Sequence, residues 1–398
     1  MRIFYAADST PNSAFASSLW RDNLYRPLVD LGHDVTEFDY DLSEVYRNLD
    51  PSDAAQKRYI DRTRPRTSAE LLRQIERAHA RERVDLFFSY FYDACVTPET
   101  IDAVRAMGIK TMNWFCNGAH QIHLVSRIAP RYDWCLVPES FRLADYAALG
   151  ARPIHCQEAA NPEIYKPYDL PVEFDATFVG QAYGERPAAV RFLRDAGIDV
   201  RVWGQGWSAL AGIASGTRRG WAGRLRSAPG MMMTPEGRRA VARAVRRRLA
   251  PPAGDATPAA TLPASIVGPP LPDQEMIRMY SRSRINLGFS ACGDPDLLKE
   301  RILQVRLRDF EVPMSGGFYL VEYMPELEEY FAVGKEIACY SDLHDLADKI
   351  KYYLAHETER QDVRLAGLRR ARRDHTWQGR FQRVLEQVGL QPARSSCS

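Results

Sequence analysis

The densest group of side chains able to do chemistry lies in residues 298–330. Its centre holds Glu311, two arginines including Arg306, a proline-interrupted helical segment and the pair Gly316-Gly317, followed by an apolar run. Carboxylates accept hydrogen bonds from hydroxyl groups, and guanidinium groups bind phosphate. So many such groups in so short a segment exceed what a structural role alone requires. We expect part of a functional site here.

A second candidate group lies in the N-terminal half. Residues 117–123 read Asn-Gly-Ala-His-Gln-Ile-His and follow a predicted strand. Asp8 follows the first predicted strand of the chain. In open α/β sheets, ligands bind outside the carboxyl ends of the strands, so Asp8, Asn117 and His120 are candidate contacts. For Asp8 a loop or capping role is the alternative.

The elements that must position these residues alternate between strand and helix, which predicts doubly wound parallel sheets in an α/β fold. The pattern pauses at 161–171, a segment with three prolines that is typical of a linker, and then restarts. Predicted strands occupy 2–7, 33–39, 84–90, 110–116, 134–137 and 153–157 before the linker, and 175–180, 200–204, 265–268, 285–289 and 336–340 after it.

These patterns predict two Rossmann-like domains. The first spans 1–165, the second spans 172–385, and 386–398 is a tail. A chain of 398 residues exceeds the size at which a single hydrophobic core usually stops growing, so two domains are also expected from length.

An insertion at 209–264 interrupts the second domain. Between Arg218 and Arg248 it contains ten arginines and one glutamate, a charge of +9, whereas the whole chain carries only +2. A solvated insertion is one interpretation. Peripheral contact with an anionic membrane, or with an anionic acceptor, is the other.

Composition excludes several classes. The near-neutral charge gives no reason to expect a nucleic-acid partner. Seven scattered cysteines match neither a disulfide framework nor a zinc site, and they favour buried, reduced thiols. No apolar run is long enough for a membrane helix or a signal peptide, so we expect a cytoplasmic protein.

With the two halves in place, the central segment resembles the C-terminal domain of the CgeB-type (spore maturation protein) glycosyltransferases. The resemblance is strong from 172 to 385 outside the insertion and looser before it. The residues that carry it are Phe310–Phe318, Glu322–Phe331, Gly334–Ile337, Phe178–Gly180 with Arg186, Gly204–Trp207, Tyr280–Leu287, His375–Trp377, Asn113-Trp114, Tyr132-Asp133 and Asn161-Pro162.

This resemblance implies the GT-B architecture, with two Rossmann-like domains facing a central cleft, and a nucleotide-sugar co-substrate used without a cofactor or required metal. Glu311 matches the glutamate that accepts hydrogen bonds from both ribose hydroxyls. Pro313 is tolerated in a first helical turn, which predicts that Glu311 lies near a helix start. Arg186 and Arg306 would stabilise the departing diphosphate.

Several glycines fall where the donor would bind: Gly180, Gly204, Gly268, Gly316 and Gly317. The motif Gly204-Gln-Gly206 is a poor dinucleotide fingerprint, and it supports only a close approach of backbone. The class usually carries another glutamate eight residues before Glu311, where this sequence has Leu303. Either Glu300 substitutes for it, or backbone amides and Arg306 act at the donor sugar.

The resemblance implies a hexosyltransferase-like enzyme that moves a sugar from a UDP-linked donor to a hydroxyl of a small molecule or glycan. In an inverting enzyme His120 would be the general base; in a retaining enzyme it would bind the donor sugar or the acceptor. A sugar-nucleotide 2-epimerase and a non-catalytic sugar-nucleotide-binding protein are the alternatives, since a fold does not fix chemistry.

Overall fold

Two six-stranded parallel sheets with flanking helices organise the chain in a computed structural model, which describes residues 1–8, 18–213, 262–293 and 301–390. The first sheet belongs to the N-terminal half. Its strands are β1 (Arg2–Ala6), β2 (Asp34–Glu37), β3 (Leu86–Ser89), β4 (Lys110–Trp114), β5 (Trp134–Val137) and β6 (Pro153–His155), in the order β2-β1-β3-β4-β5-β6. All four residues of β3 are buried, as expected for a strand covered on both faces.

Helices connect these strands along the chain. A turn of π-helix (Arg21–Tyr25) leads into α1 (Arg26–Asp30). The other helices of this half are α2 (Ser43–Tyr46), α3 (Ala54–Arg81), α4 (Pro98–Ala106), α5 (Gly118–Gln121) and α6 (Leu143–Ala148).

The second sheet belongs to the C-terminal half. Its strands are β7 (Phe174–Val179), β8 (Val200–Trp203), β9 (Val267–Gly268), β10 (Ser283–Gly288), β13 (Tyr319–Glu322) and β14 (Ala338–Tyr340), in the order β14-β13-β10-β7-β8-β9, and the short strands β11 (Ala291–Cys292) and β12 (Ile302–Leu303) form a separate antiparallel pair. The helices are α7 (Arg186–Asp195), α8 (Trp207–Leu210), α9 (Asp273–Arg282), α10 (Leu307–Met314), α11 (Leu343–Ala355), α12 (Glu357–Asp374) and α13 (Trp377–Gln387).

The predicted alternation is confirmed. Each predicted strand matches an observed one whose ends lie within two residues. The sequence did not predict β13, which lies within the segment 298–330, or the β11–β12 pair. Leu303, which stands where the class usually has a glutamate, lies in β12 and pairs with Ala291 of β11.

Packing divides the chain into two compact units. One comprises Met1–Phe178, Gly184–Val200 and Leu271–Ser398, and the other comprises Val179–Tyr183 and Arg201–Pro270. The predicted domain limits at 165 and 172 stay a prediction, because the larger unit contains both the N-terminal half and most of the C-terminal half.

Helix α13 packs on the core of the first sheet. The Trp377 indole meets the Trp114 indole edge to face, with centroids 5.1 Å apart, and the Phe381 ring lies 5.6 Å from that of Phe88. Aromatic pairs in this geometry add about 0.5 to 1.5 kcal/mol beyond the burial of their area. The C-terminal segment therefore stabilises the N-terminal sheet.

His375, just before α13, is buried as a neutral imidazole. Its Nε2 donates to the Tyr330 carbonyl at 2.7 Å, and its Nδ1 accepts from Arg380 Nη2 at 3.1 Å. A proton on Nδ1 would face the N–H of a guanidinium. Burial, together with the charge of Arg380, lowers the pKa of His375 to about 4.

His375 should therefore make folding pH-dependent. The unfolded chain takes up a proton here near pH 6.5 and the folded chain only near pH 4, so stability falls as pH drops through this window. We expect this residue to account for a loss of about 3 kcal/mol in the free energy of unfolding. Urea titrations from pH 7 to pH 4 should show a shallower decline for His375→Gln than for the parent chain, and parallel declines would contradict this.

The smaller unit requires glycine at position 204. Gly204 has φ +143°, and a Cβ there would lie 2.1 Å from the Gly180 carbonyl oxygen. Gly180 also accepts a hydrogen bond from the Trp207 indole at 2.7 Å. Gly204 therefore allows two backbone segments to touch.

We expect Gly204→Ala to lower the free energy of unfolding by about 2 to 4 kcal/mol, since it combines a disfavoured φ with a backbone clash. Gly197→Ala is the matched control: Gly197 also has positive φ, +79°, but a Cβ there would meet nothing within 4 Å. Urea unfolding of both variants measures the difference. Equal losses would show that the contact with Gly180 carries no cost.

Candidate active site

Three neighbouring strands of the first sheet deliver polar side chains to one edge. His120 follows β4, Glu139 follows β5 and Glu158 follows β6, so all three lie at the carboxyl ends of adjacent parallel strands. This is the edge at which open α/β sheets bind ligands. Glu139 and Glu158 are buried, with 3% and 5% of their surface exposed.

His120 is a half-buried imidazole in the one-turn helix α5. Burial lowers its pKa, and the positive charge of Arg306 lowers it further. Its Nδ1 is buried and has no hydrogen-bond partner among the described residues. An imidazole that stays neutral near pH 7 is able to accept a proton.

Arg306 comes from the other half of the chain, at the start of α10. Its backbone N–H donates to Asp309 Oδ2 at 2.9 Å, which caps the helix, and its Nη2 donates to the Ala291 carbonyl at 2.5 Å. These contacts fix the arginine at the helix N-terminus. Its Nε is buried without a partner among the described residues.

Glu311 lies within α10 and is 1% exposed. Its carboxylate is hydrogen-bonded to the Tyr165 hydroxyl, and its Oε2 lies 3.8 Å from Arg308 Nε. Burial raises the pKa of Glu311, while Arg308 and Tyr165 oppose that rise. Its Oε1 has no partner among the described residues, so one oxygen is able to accept further hydrogen bonds.

The pKa of Glu158 is affected by charged side chains from both halves of the chain. Burial, then the negative charges of Glu139 and Glu311, raise its pKa well above the usual range, and Arg306 opposes this. Residues from the two halves of the chain therefore influence each other's charge: Glu158 with Glu311, 153 positions apart, and His120 with Arg306, 186 positions apart.

The predicted place of Glu311 near a helix start is wrong. Helix α10 begins at Leu307, so Glu311 is its fifth residue, and Pro313 lies in the last turn. Proline there removes one backbone hydrogen bond close to the helix end, where the helix stops at Met314. The pattern around Pro313 is that of a helix end rather than a helix start.

The other predicted polar residues have contacts of their own. Asp8 is buried beside Tyr46 and Cys95, and the Asn117 side chain is hydrogen-bonded to Tyr92. Arg186 opens α7 and is 8% exposed, with its guanidinium 5.1 Å from the centroid of the Phe178 ring. Their roles at acceptor and diphosphate stay predictions.

Packing already explains the glycines of the central segment. Gly316 has φ +70°, and a Cβ would lie 2.8 Å from Pro167 Cγ; a Cβ on Gly317 would lie 2.8 Å from Asn286 Nδ2. In the smaller unit, a Cβ on Gly268 would lie 2.0 Å from Trp203 Cδ1. Donor contact by these glycines stays a prediction.

Sequence analysis missed Glu139, Glu158 and Tyr165. The strand pattern contained the signal for the two glutamates, because they follow β5 and β6 just as His120 follows β4. Tyr165 precedes the predicted linker and gave no comparable signal.

Other predicted features are tested only in part. In the described ranges, no helix is long and apolar enough to cross a membrane, and no cluster of three metal-ligating side chains occurs. All six cysteines within the described ranges are free and buried. The arginine-rich segment 218–248 and Glu300 lie outside the described residues, so their predicted roles are untested.

The sequence matches the family model for glycosyl transferase-like proteins over residues 186–386. No curated protein matches it.

Solved structures resemble the whole chain. Sucrose-phosphate synthase from Thermosynechococcus elongatus has a TM-score of 0.56 and 12% identity, covering 98% of this chain and 99% of that one. Anabaena HepE in complex with UDP-glucose gives 0.54 and 11%, with coverage of 98% and 99%. AviGT4, a glycosyltransferase involved in avilamycin A biosynthesis, gives 0.51 and 14%, with coverage of 98% and 97%. At such identities the likeness concerns the fold, and it confirms the predicted GT-B architecture.

Proposed function

We propose that this chain, which belongs to the glycosyl transferase-like family, transfers a sugar from a UDP-linked donor to a hydroxyl of a small molecule or glycan. The observation that carries the proposal is that His120 Nδ1, Arg306 Nε and Glu311 Oε1 are buried and have no hydrogen-bond partner among the described residues. A base, a cation and a carboxylate acceptor are groups that sugar transfer from a nucleoside diphosphate can use.

Each group has a separate task. Glu311 accepts hydrogen bonds from the ribose hydroxyls, and Tyr165 and Arg308 hold its carboxylate. Arg306 stabilises the negative charge that develops on the departing diphosphate. His120 either takes the proton of the attacking hydroxyl, in an inverting reaction, or binds the sugar or acceptor, in a retaining one.

Finer assignments belong to the same proposal. The segment Phe310–Phe318 supports membership of the CgeB-type glycosyltransferases, and a UDP-glucose complex of the structurally similar HepE supports a UDP-linked donor. The buried free thiols favour a cytoplasmic location. Arginine-based stabilisation of the leaving group favours a reaction without a metal.

A thermal-shift screen tests the donor. We expect UDP and UDP-sugars to raise the melting temperature more than GDP-, ADP- or CMP-sugars, with and without EDTA, because a ligand that binds only the folded state stabilises it. Equal shifts for all nucleotides would contradict a UDP-linked donor. A shift abolished by EDTA would contradict metal independence.

A further inference from the structure

The turn that carries His120 has little stability of its own. Helix α5 is one turn long, and the Gln121 N–H donates to the Asn117 carbonyl at 2.9 Å. The first N–H groups of a helix have no intrahelical partner, and isolated helices of one turn do not form in water. Groups outside the turn must therefore hold His120 in position.

Two side chains that follow β5 form hydrogen bonds with the backbone of this turn, one with an N–H group and the other with a carbonyl group. Glu139 Oε1 accepts from the Ala119 N–H at 3.2 Å. Arg142 donates to the Ala119 carbonyl through Nε at 3.2 Å and Nη2 at 2.5 Å. Both backbone groups of the residue before His120 are therefore fixed by one segment.

Gly118 leaves room for the carboxylate. A Cβ at this position would lie 3.0 Å from Glu139 Oε2 and 3.3 Å from the Tyr146 hydroxyl oxygen. Glu139 is almost fully buried, and no ion pair joins it to a described arginine or lysine side chain. Burying a carboxylate is costly unless hydrogen bonds compensate it, and the Ala119 N–H supplies one to Oε1, whereas Oε2 has no partner among the described residues.

The same segment also reaches the C-terminal half. Ser140 Oγ donates to Glu326 Oε1 at 3.2 Å, and Gln157 Nε2 lies 3.4 Å from the same oxygen. Ser140, which lies between Glu139 and Arg142, is therefore bonded to the half of the chain that carries Arg306.

We propose that Glu139 is a positioning residue, whose carboxylate holds the Gly118–His120 backbone and thereby the imidazole of His120. The inference rests on the proposed function, in which His120 acts in sugar transfer. Arg142 fixes the same peptide from its carbonyl side.

Glu139→Ala, Glu139→Gln and a control, Glu76→Gln on the exposed face of α3, test this inference. Transfer from UDP-glucose, UDP affinity by calorimetry, and the ring NMR signals of 13C-labelled histidine are measured for each. We expect Glu139→Ala to lower kcat at least tenfold, to leave the Kd for UDP within twofold, and to shift the His120 signal. Glu139→Gln keeps one acceptor oxygen and should retain kcat within about threefold, while the control should change nothing.

The outcomes separate the inference from the proposed function. A lowered kcat with an unmoved His120 signal would overturn the positioning role. A moved signal with unchanged kcat would support positioning and would instead contradict a role for His120 in transfer. If Glu139→Ala fails to fold, Arg142→Met is the second variant, because it removes the hydrogen bonds to the Ala119 carbonyl at a partly exposed position. It should shift the same His120 signal. An unshifted signal in Arg142→Met would overturn the inference.

Discussion

Replacing Glu311 with alanine is expected to raise the Kd for UDP at least tenfold in isothermal calorimetry. The carboxylate would lose charge-assisted hydrogen bonds to two ribose hydroxyls, each worth about 1.5 to 3 kcal/mol, and a tenfold change corresponds to about 1.4 kcal/mol. Tyr165→Phe should have a smaller effect in the same direction, because it leaves the acceptor but removes the hydroxyl that orients it.

Glu275→Ala is the matched control for Glu311→Ala. Glu275 lies on α9, pairs with Arg278 at 2.9 Å and has a half-exposed side chain. Its loss should leave UDP affinity unchanged. Circular dichroism of each variant checks that the fold persists, and a folded Glu311→Ala variant with unchanged UDP affinity would remove the ribose assignment.

The largest effect on turnover is expected at His120. His120→Ala should reduce kcat for sugar transfer at least a hundredfold if the imidazole is the general base, since positioned bases contribute about 10² to 10⁴. UDP affinity should stay within twofold. Burial and Arg306 lower the pKa of His120, so the decline of kcat/KM on the acid side should lie below pH 6.5.

His123→Ala provides the control for this variant. His123 is three residues away, exposed, and in the 3-10 turn Ile122–Leu124 that follows α5. We expect it to retain activity. Full activity of His120→Ala would remove His120 from the site, whereas a loss of only a few-fold would favour sugar binding over proton transfer.

Most strands were predictable because each is a short apolar run bounded by turn residues, and this pattern is local. The same local rule located His120, which follows β4. It could also have located Glu139 and Glu158, but a single glutamate after a strand looks like any surface carboxylate until its burial is known.

The parts that failed depend on tertiary contacts. Pro313 is compatible with either end of a helix, and the sequence could not show that α10 starts at Leu307. Gly316 and Gly317 also have a packing role that the sequence did not indicate, because a Cβ on Gly316 would lie 2.8 Å from Pro167 and a Cβ on Gly317 would lie 2.8 Å from Asn286. The hydrogen bond between Tyr165 and Glu311 joins residues 146 positions apart, a separation that no local pattern reveals.

Acceptor-dependent release of UDP is the most direct measurement of the proposed activity. Purified full-length protein would be incubated with UDP-glucose and related UDP-sugars, alone and with a panel of mono- and disaccharides, and free UDP would be quantified. We expect at least one pair of donor and acceptor to release UDP faster than the donor alone, and Glu311→Ala to lower that rate at least tenfold at subsaturating donor. Binding of UDP-sugars with no acceptor-dependent release from any pair, or a release that Glu311→Ala leaves unchanged, would contradict a transferase with this site.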